Sequence, residues 1–318
     1  MSTIVIGTRG SALALWQANH IKLLIEDKSH HNCEIKIIST RGDRDQSTPL
    51  PEVGGKGFFT EEIESELKNQ TIDLAVHSMK DLPVDLGENF KIGAVPQRFS
   101  PLDVMVTPSP ISFQDLPKNA IIATGSLRRG LQLKSHRPDI EIVDVRGNID
   151  TRINKLKSNN WHGLIMAEAA IKRLGLDIDY YKFCIDEMIP AAAQGAIAVE
   201  VSTNRDELEE ILSLINHQPS FDVINIERRI IDKLDGGCKT PVGCLAELNE
   251  NILTINAYLS DLAGENVIRV EKSGLFSEKD NLIQQTISEF MYREAQKIII
   301  KNRKTLLSRI EFNLFYSI

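Results

Sequence analysis

Two rhythms of apolar positions alternate along the chain. Short apolar runs near 3–7, 34–40, 73–76 and 91–95 predict strands. Between the first two, Leu13, Trp16, Ile21 and Leu24 mark one helical face behind a Gly10-Ser11 turn and cap. Thr60, with Glu61 and Glu62 behind it, predicts a capped helix start that suits the macrodipole. Pro-containing 96–101 reads as a crossing segment. A second series follows, with strands near 104–107, 120–124, 141–145 and 163–166 and helices near 127–135, 149–157 and 168–174. Ala- and Gly-rich 190–195 reads as a return crossing, and 197–201 as a strand rejoining the first lobe. After a helix over 206–215 and a linker at 217–219, Phe221, Ile224, Ile230, Ile231 and Leu234 line one face of another helix. Strands near 242–248, 252–259 and 267–273 and a long helix from about 278 complete a smaller unit.

Strand–helix alternation of this kind predicts an α/β protein. The expected domains are 1–96 plus 195–216, a discontinuous lobe; 97–194; and 217–318. At 318 residues, with 42% hydrophobic and 25% charged positions, the chain is long enough for two or three such cores. A formal charge of −7 and the absence of a Lys/Arg-rich run argue against nucleic acid as a partner. The chain enters its first strand without an export-signal pattern, and no apolar run approaches bilayer-spanning length. Four scattered cysteines, Cys33, Cys184, Cys238 and Cys244, lack metal-ligand spacing and predict reduced thiols in a cytoplasmic protein. No metal and no membrane partner are expected.

The unusual residues cluster at the ends of predicted strands. Arg9 and Ser11 follow the first strand, and Lys80 and Asp81 follow another. Ser126, Arg128 and Arg129 follow a third, and Arg146 and Arg152 a fourth. Carboxyl ends of strands in open α/β sheets line the crevice where ligands bind, and helix N-termini there favour anions. Arginine's planar fork matches carboxylate or phosphate. Gly54-Gly55-Lys56-Gly57, in the long connection 41–57, lacks the spacing of a phosphate-binding loop, and no Gly-x-Ser-x-Gly is present. His77 reads either as a base or as a structural residue at a buried strand end. Asp81 reads as a site carboxylate, or as one capping its turn or pairing with Lys80. Cys238 sits after Gly236-Gly237 and before Pro241, beside Lys239. It is a small thiol packed under a turn or one held out for covalent attachment, and the loop alone does not decide.

Together these passages resemble the porphobilinogen deaminase family. The resemblance is carried by the run from Gly7 to Gln17, Thr40-Arg41-Gly42-Asp43, Gly54 to Phe58, Ala75 to Pro83 and Thr124 to Arg129. Arg146-Gly147-Asn148 through Arg152, Gln194-Gly195-Ala196, and Glu227-Arg228 through Gly243 continue it. It implies two lobes like those of type II periplasmic binding proteins, crossed twice by the chain, plus a smaller α/β C-terminal domain. It implies a transferase of haem and other tetrapyrrole biosynthesis. Four porphobilinogen molecules are deaminated and joined head to tail into the linear tetrapyrrole hydroxymethylbilane, with release of ammonia.

The same resemblance implies a dipyrromethane cofactor, linked as a thioether to Cys238, that serves as primer. Asp81 matches the catalytic carboxylate. Lys80, Asp81, Ser126, Arg128, Arg129 and Ser78 are expected around the cofactor. Arg9, Ser11, Lys56, Arg146, Arg152, Arg173 and Gln194 are expected around the substrate, with Lys56 in a lid-like loop. A monomer is expected. Gly125 stands where many members carry Ser or Thr, Leu102 where Arg is common, and the tail from about Lys301 has no counterpart. The competing reading is a non-catalytic, two-lobed carboxylate- or anion-binding protein.

Overall fold

The computed structural model describes residues 3–44, 60–234 and 240–315. Its strands form three sheets. The first has the order β2-β1-β3-β10-β4 and is built from β1 (Ile4–Thr8), β2 (Cys33–Ile37), β3 (Leu74–Ser78), β4 (Phe90–Ala94) and β10 (Ile197–Ser202). The second has the order β7-β6-β8-β5-β9, from β5 (Asp103–Val106), β6 (Ile121–Ala123), β7 (Glu141–Val143), β8 (Gly163–Ala167) and β9 (Tyr180–Lys182). In each, three neighbouring strands are parallel and one inserted strand, β10 or β5, runs antiparallel to both neighbours. The lobes thus share one topology, and each inserted strand is reached by a crossing of the chain. This is the twice-crossed α/β arrangement expected of type II periplasmic-binding-protein-like lobes. The third sheet is the antiparallel meander β11 (Val242–Asn249), β12 (Ile252–Ser260) and β13 (Val267–Leu275).

The helices are α1 (Ala12–Ser29), α2 (Arg41–Arg44), α3 (Glu61–Lys68), α4 (Leu127–His136), α5 (Ile149–Ser158), α6 (Glu168–Arg173), α7 (Glu209–Ile215), α8 (Gln218–Lys233), α9 (Lys279–Tyr292) and α10 (Ala295–Phe315). The parallel strands read as continuous apolar runs because helices cover their faces. Ile6, Leu74 and Val76 pack with Ile21 and Ile25 of α1 and Leu212 of α7. In the second lobe Ile122 and Met105 pack against Leu133 of α4, and Leu164 and Val106 against Ile153 and Leu156 of α5. The third core joins α8, α9 and the meander, and it takes in Met79, Leu82 and Val95 of the first lobe.

Several local expectations are corrected. Ser11 caps α1, its Oγ accepting from Ala14 N at 3.3 Å, but Thr60 makes no side-chain capping bond to α3. The expected helix over 206–215 is a 3-10 turn, Asp206–Leu208, followed by α7. The expected linker at 217–219 already opens α8. His217 accepts from Ser220 N at 3.3 Å, and Pro219 fits the first turn, where its missing N–H has no partner to lose. The long C-terminal helix is interrupted at Arg293 and Glu294, the latter at φ 64°, so α9 and α10 are separate. The tail after Lys301 continues as the α10 backbone. Lys56 and Cys238 lie outside the described residues.

Candidate active site

The inserted strands bring the site together. β10 runs antiparallel to β3, so its first residue, Ile197, lies level with Ser78 at the carboxyl end of β3. Likewise Asp103, first residue of β5, lies level with Ala167 at the carboxyl end of β8. Both crossings therefore enter beside the carboxyl ends of the parallel strands, where the candidate side chains sit. Gly195 is at the crossing with φ 83°, and a Cβ there would lie 2.5 Å from Ser100 O and 2.6 Å from Phe99 O. Only glycine lets the two passages lie this close.

From the first lobe, β3 ends in a one-turn 3-10 helix, Met79–Asp81, closed by Leu82 N donating to Met79 O at 3.2 Å. Ser78 Oγ accepts from Gln17 Nε2 of α1 at 2.9 Å. Lys80 and Asp81 are solvent-exposed at the turn. Among the described residues no hydrogen bond or ion pair ties down the Asp81 carboxylate, which lies within electrostatic range of Lys80 and Arg152. It neither caps its turn nor pairs with Lys80.

From the second lobe, Ser126 caps α4, with Oγ accepting from Arg129 N at 3.5 Å, and sets both following arginines at the base of the cleft. Arg128 and Arg129 are 6% and 7% exposed. Asp103, fully buried, holds both. Arg128 Nη1 lies 2.8 Å from Oδ2, and Arg129 Nε and Nη2 donate to Oδ1 at 2.9 and 2.7 Å. Gln194 Nε2 donates to the same oxygen at 2.8 Å and to Pro101 O at 2.7 Å. Gln194 Oε1 accepts from Lys80 Nζ and Arg129 Nη2, each at 3.3 Å. Burial alone would raise the Asp103 carboxyl, but the two guanidiniums hold it far below the usual carboxylate range.

Burial, and next the neighbouring Arg129, depress Lys80 to about 8, with Asp81 and Asp103 opposing. Lys80 keeps contact with solvent in the open cleft while protein surrounds it at longer range. That solvent weakens the depression, and a ligand carboxylate beside the ammonium would raise Lys80 again. Arg152 is likewise lowered, first by burial and then by Arg129, and its Nε donates to Gly147 O at 2.7 Å. Arg146 is half-buried and within electrostatic range of Arg152.

The expected residues do not all present themselves to one ligand. Ser78, Lys80, Asp81, Ser126, Arg128, Arg129, Arg146, Arg152 and Gln194 converge. Gln194, 0% exposed, has its amide committed to protein partners and acts beneath the cleft. Arg9 is joined to Asp43 at 2.5 Å, so a ligand carboxylate meets it beside that partner or in exchange for it. Ser11 is committed to its helix cap. Arg173 stands apart, 5% exposed at the crossing. It donates to Gly195 O at 2.8 Å and lies 4.9 Å from the Phe99 ring centroid and 5.7 Å from that of Trp16. Burial lowers it to about 10. His77 is buried against Glu200 at 3.0 Å, inside the first sheet and turned from the cleft residues. Sequence reasoning missed Asp103. A lone acid opening the apolar run Val104-Met105-Val106 was the available signal, since a buried acid needs a cation.

A cleft between two α/β lobes that gathers five cations around two carboxylates, with a third domain beside it, defines a protein built to handle anionic ligands. Comparison with known proteins makes this specific. Residues 4–210 match the family model for the porphobilinogen deaminase dipyromethane cofactor binding domain, and residues 221–292 that for the porphobilinogen deaminase C-terminal domain. A porphobilinogen deaminase of Campylobacter hominis is 40% identical over 302 residues, 94% of this chain and 98% of its own. One from Syntrophomonas wolfei is 45% identical over 269 residues, covering 83% and 87%. Among solved structures, the methionine-binding protein MetQ is 9% identical with a TM-score of 0.43, over 69% of this chain and 92% of its own. The chain belongs to the porphobilinogen deaminase family, enzymes of tetrapyrrole biosynthesis that use a dipyrromethane cofactor.

Proposed function

We propose that this chain deaminates porphobilinogen and joins four of them into hydroxymethylbilane in the cleft between its first two lobes, with Asp81 as the catalytic carboxylate. Each pyrrole carries an acetate and a propionate, so a dipyrromethane brings four carboxylates. The set of Lys80, Arg128, Arg129, Arg146 and Arg152 has the charge to hold such a group, with Ser126 beside it at the α4 cap. Asp103 cancels only part of that charge, so the field at the cleft stays positive. When bound, the cofactor supplies the nucleophilic carbon of a terminal pyrrole. Cys238 is the proposed thioether carbon–sulfur attachment point. Cys33 and Cys244 are buried, and burial pushes their thiols up, Cys33 to about 11 and Cys244 well above its usual range, so neither is a thiolate at neutral pH.

In each cycle the substrate's aminomethyl C–N bond breaks and ammonia leaves with a proton. Lys80, Arg128, Arg129, Arg146 and Arg152 would hold the cofactor, whose terminal pyrrole would supply the carbon nucleophile and release a ring proton. The cations orient the substrate's carboxylates. Asp81 supplies a fixed negative charge for the pyrrole N–H and for the positive charge that develops as ammonia departs. The observation that carries this role is the exposed Asp81 carboxylate, set among cations and, among the described residues, with no hydrogen bond of its own. The domain boundaries 1–96 with 195–216, 97–194 and 217–318 belong to the same proposal, supported by the membership of the three sheets. A monomer in the cytoplasm also belongs to it, and among the described residues no helix is long and apolar enough to cross a membrane.

Asp81→Asn tests the assignment, since it keeps size and polarity but removes charge. The variant is expected to melt like the wild type, while single-turnover ammonia release falls by roughly 10² or more, as for other single electrostatic groups. A stable variant with near-normal release refutes the role. A non-catalytic binding protein would release no ammonia in either form.

A further inference from the structure

Behind the Asp81 turn lies a buried arginine that has no carboxylate partner among the described residues. Arg228, on α8, is 8% exposed, and among the described residues no carboxylate lies within ion-pair distance of its guanidinium. Burial without a counter-charge is costly for a guanidinium, and it lowers Arg228 below its usual range. Its fork is instead committed to three successive backbone carbonyls. Nη1 donates to Leu82 O at 3.3 Å, and Nη2 donates to Pro83 O at 2.5 Å and Val84 O at 3.0 Å.

These carbonyls follow directly on the 3-10 turn that carries Lys80 and Asp81. A single such turn, with its poorer hydrogen-bond geometry, cannot hold its own orientation and must be held from outside. Packing does this only in part. Met79 and Leu82 anchor the turn's inner side, but beside Arg228 is a recess of ≈ 270 Å³ bordered by Met79, Val84, Leu86, Ile92 and Phe221. The recess reaches the turn at Met79 and the following Val84, so packing on that side is incomplete. Arg228 spans that side from a 16-residue helix and sets its charge against the carbonyl end of the turn.

We propose that Arg228 is a positioning residue for the reaction: from the third domain it clamps the 82–84 carbonyls and so fixes the direction in which Asp81 points into the cleft. The proposal rests on Asp81 being the catalytic carboxylate. It also places the registration of the catalytic turn on the same helix that leads, in sequence, toward Cys238.

Arg228→Met keeps the apolar stem and removes every donor, while Arg228→Lys restores charge and a single donor point. Turnover is taken per molecule carrying cofactor, counted by intact mass, and hydrogen exchange is followed over residues 79–84. The Met variant is expected to lose about 10- to 100-fold in kcat, the scale of a misplaced catalytic group, with KM little changed. The Lys variant should regain part of the loss, and exchange in the turn should quicken while β1 and β3 keep their protection. A purely structural role would lower melting temperature and leave kcat per loaded molecule alone, and that result overturns the proposal. So does unchanged exchange in the turn, which also decides the matter if the Met variant carries no cofactor. Asp81→Asn is run in parallel. An inactive Asp81→Asn with a fully active Arg228→Met refutes the positioning role alone, whereas activity in both refutes the assignment of Asp81.

Discussion

Asp103→Asn attacks the cation cluster at a buried counter-charge. Asp103 accepts from Arg129 Nε and Nη2, pairs with Arg128 Nη1 and accepts from Gln194, all at 2.7 to 2.9 Å. Asparagine fits the space, but its NH₂ must face one guanidinium, leaving two buried arginines without a balancing charge. Removing one member of such a buried group costs about 3–5 kcal/mol. At roughly 2–4 °C per kcal/mol for a unit of this size, the melting temperature should fall by about 6–20 °C. The pH dependence has a fixed sign. Asp103 is held far below the ordinary carboxylate range, so its stabilisation is complete above the unfolded-state value near 4 and is lost as pH falls through the folded value. The gap between wild type and variant should thus be flat from about pH 5 to 8 and narrow below about 4. Calorimetry across that range measures it, and intact mass should show less cofactor loaded because Arg128 and Arg129 lose their anchor. A fall of less than about 2 °C, or a gap that widens toward acid, would show that the arginines are held by Ile189 O, which accepts from Arg128 Nη1, and Ile165 O, which accepts from Arg129 Nη1, and not by Asp103.

Two further outcomes follow from the same geometry. Lys80 pairs a ligand carboxylate only when protonated and is depressed to about 8, so KM for porphobilinogen should rise as pH climbs through about 8; steady-state kinetics of Lys80→Arg should lack that rise, and an unchanged profile would remove Lys80 from the binding set. Cys238→Ser should show the bare polypeptide mass where the wild type carries two extra pyrrole units, while Cys184→Ala should keep the excess; an excess that survives Cys238→Ser places the attachment elsewhere.

Local pattern alone determined much of this protein. Apolar runs and helical stripes marked most strands and helices, because burial on both faces of a parallel sheet writes itself into consecutive residues. Cations following strand ends were legible for the same reason, and the passages that carry the family resemblance are contiguous stretches. What stayed hidden depends on partners distant along the chain. β9 is three residues long and exists only because β5 offers it an edge. Asp103 gains its role from arginines that α4 carries back to it, and Arg173 is drawn out of the cation cluster by Trp16 and Phe99 at the crossing. Arg228 reads in sequence as one more charged residue on an amphipathic helix. Only the docking of the third domain on the first lobe turns it toward the carbonyls behind Asp81. A side chain's partner is set by which surfaces meet, and that is decided by the packing of whole lobes rather than by any local run of residues.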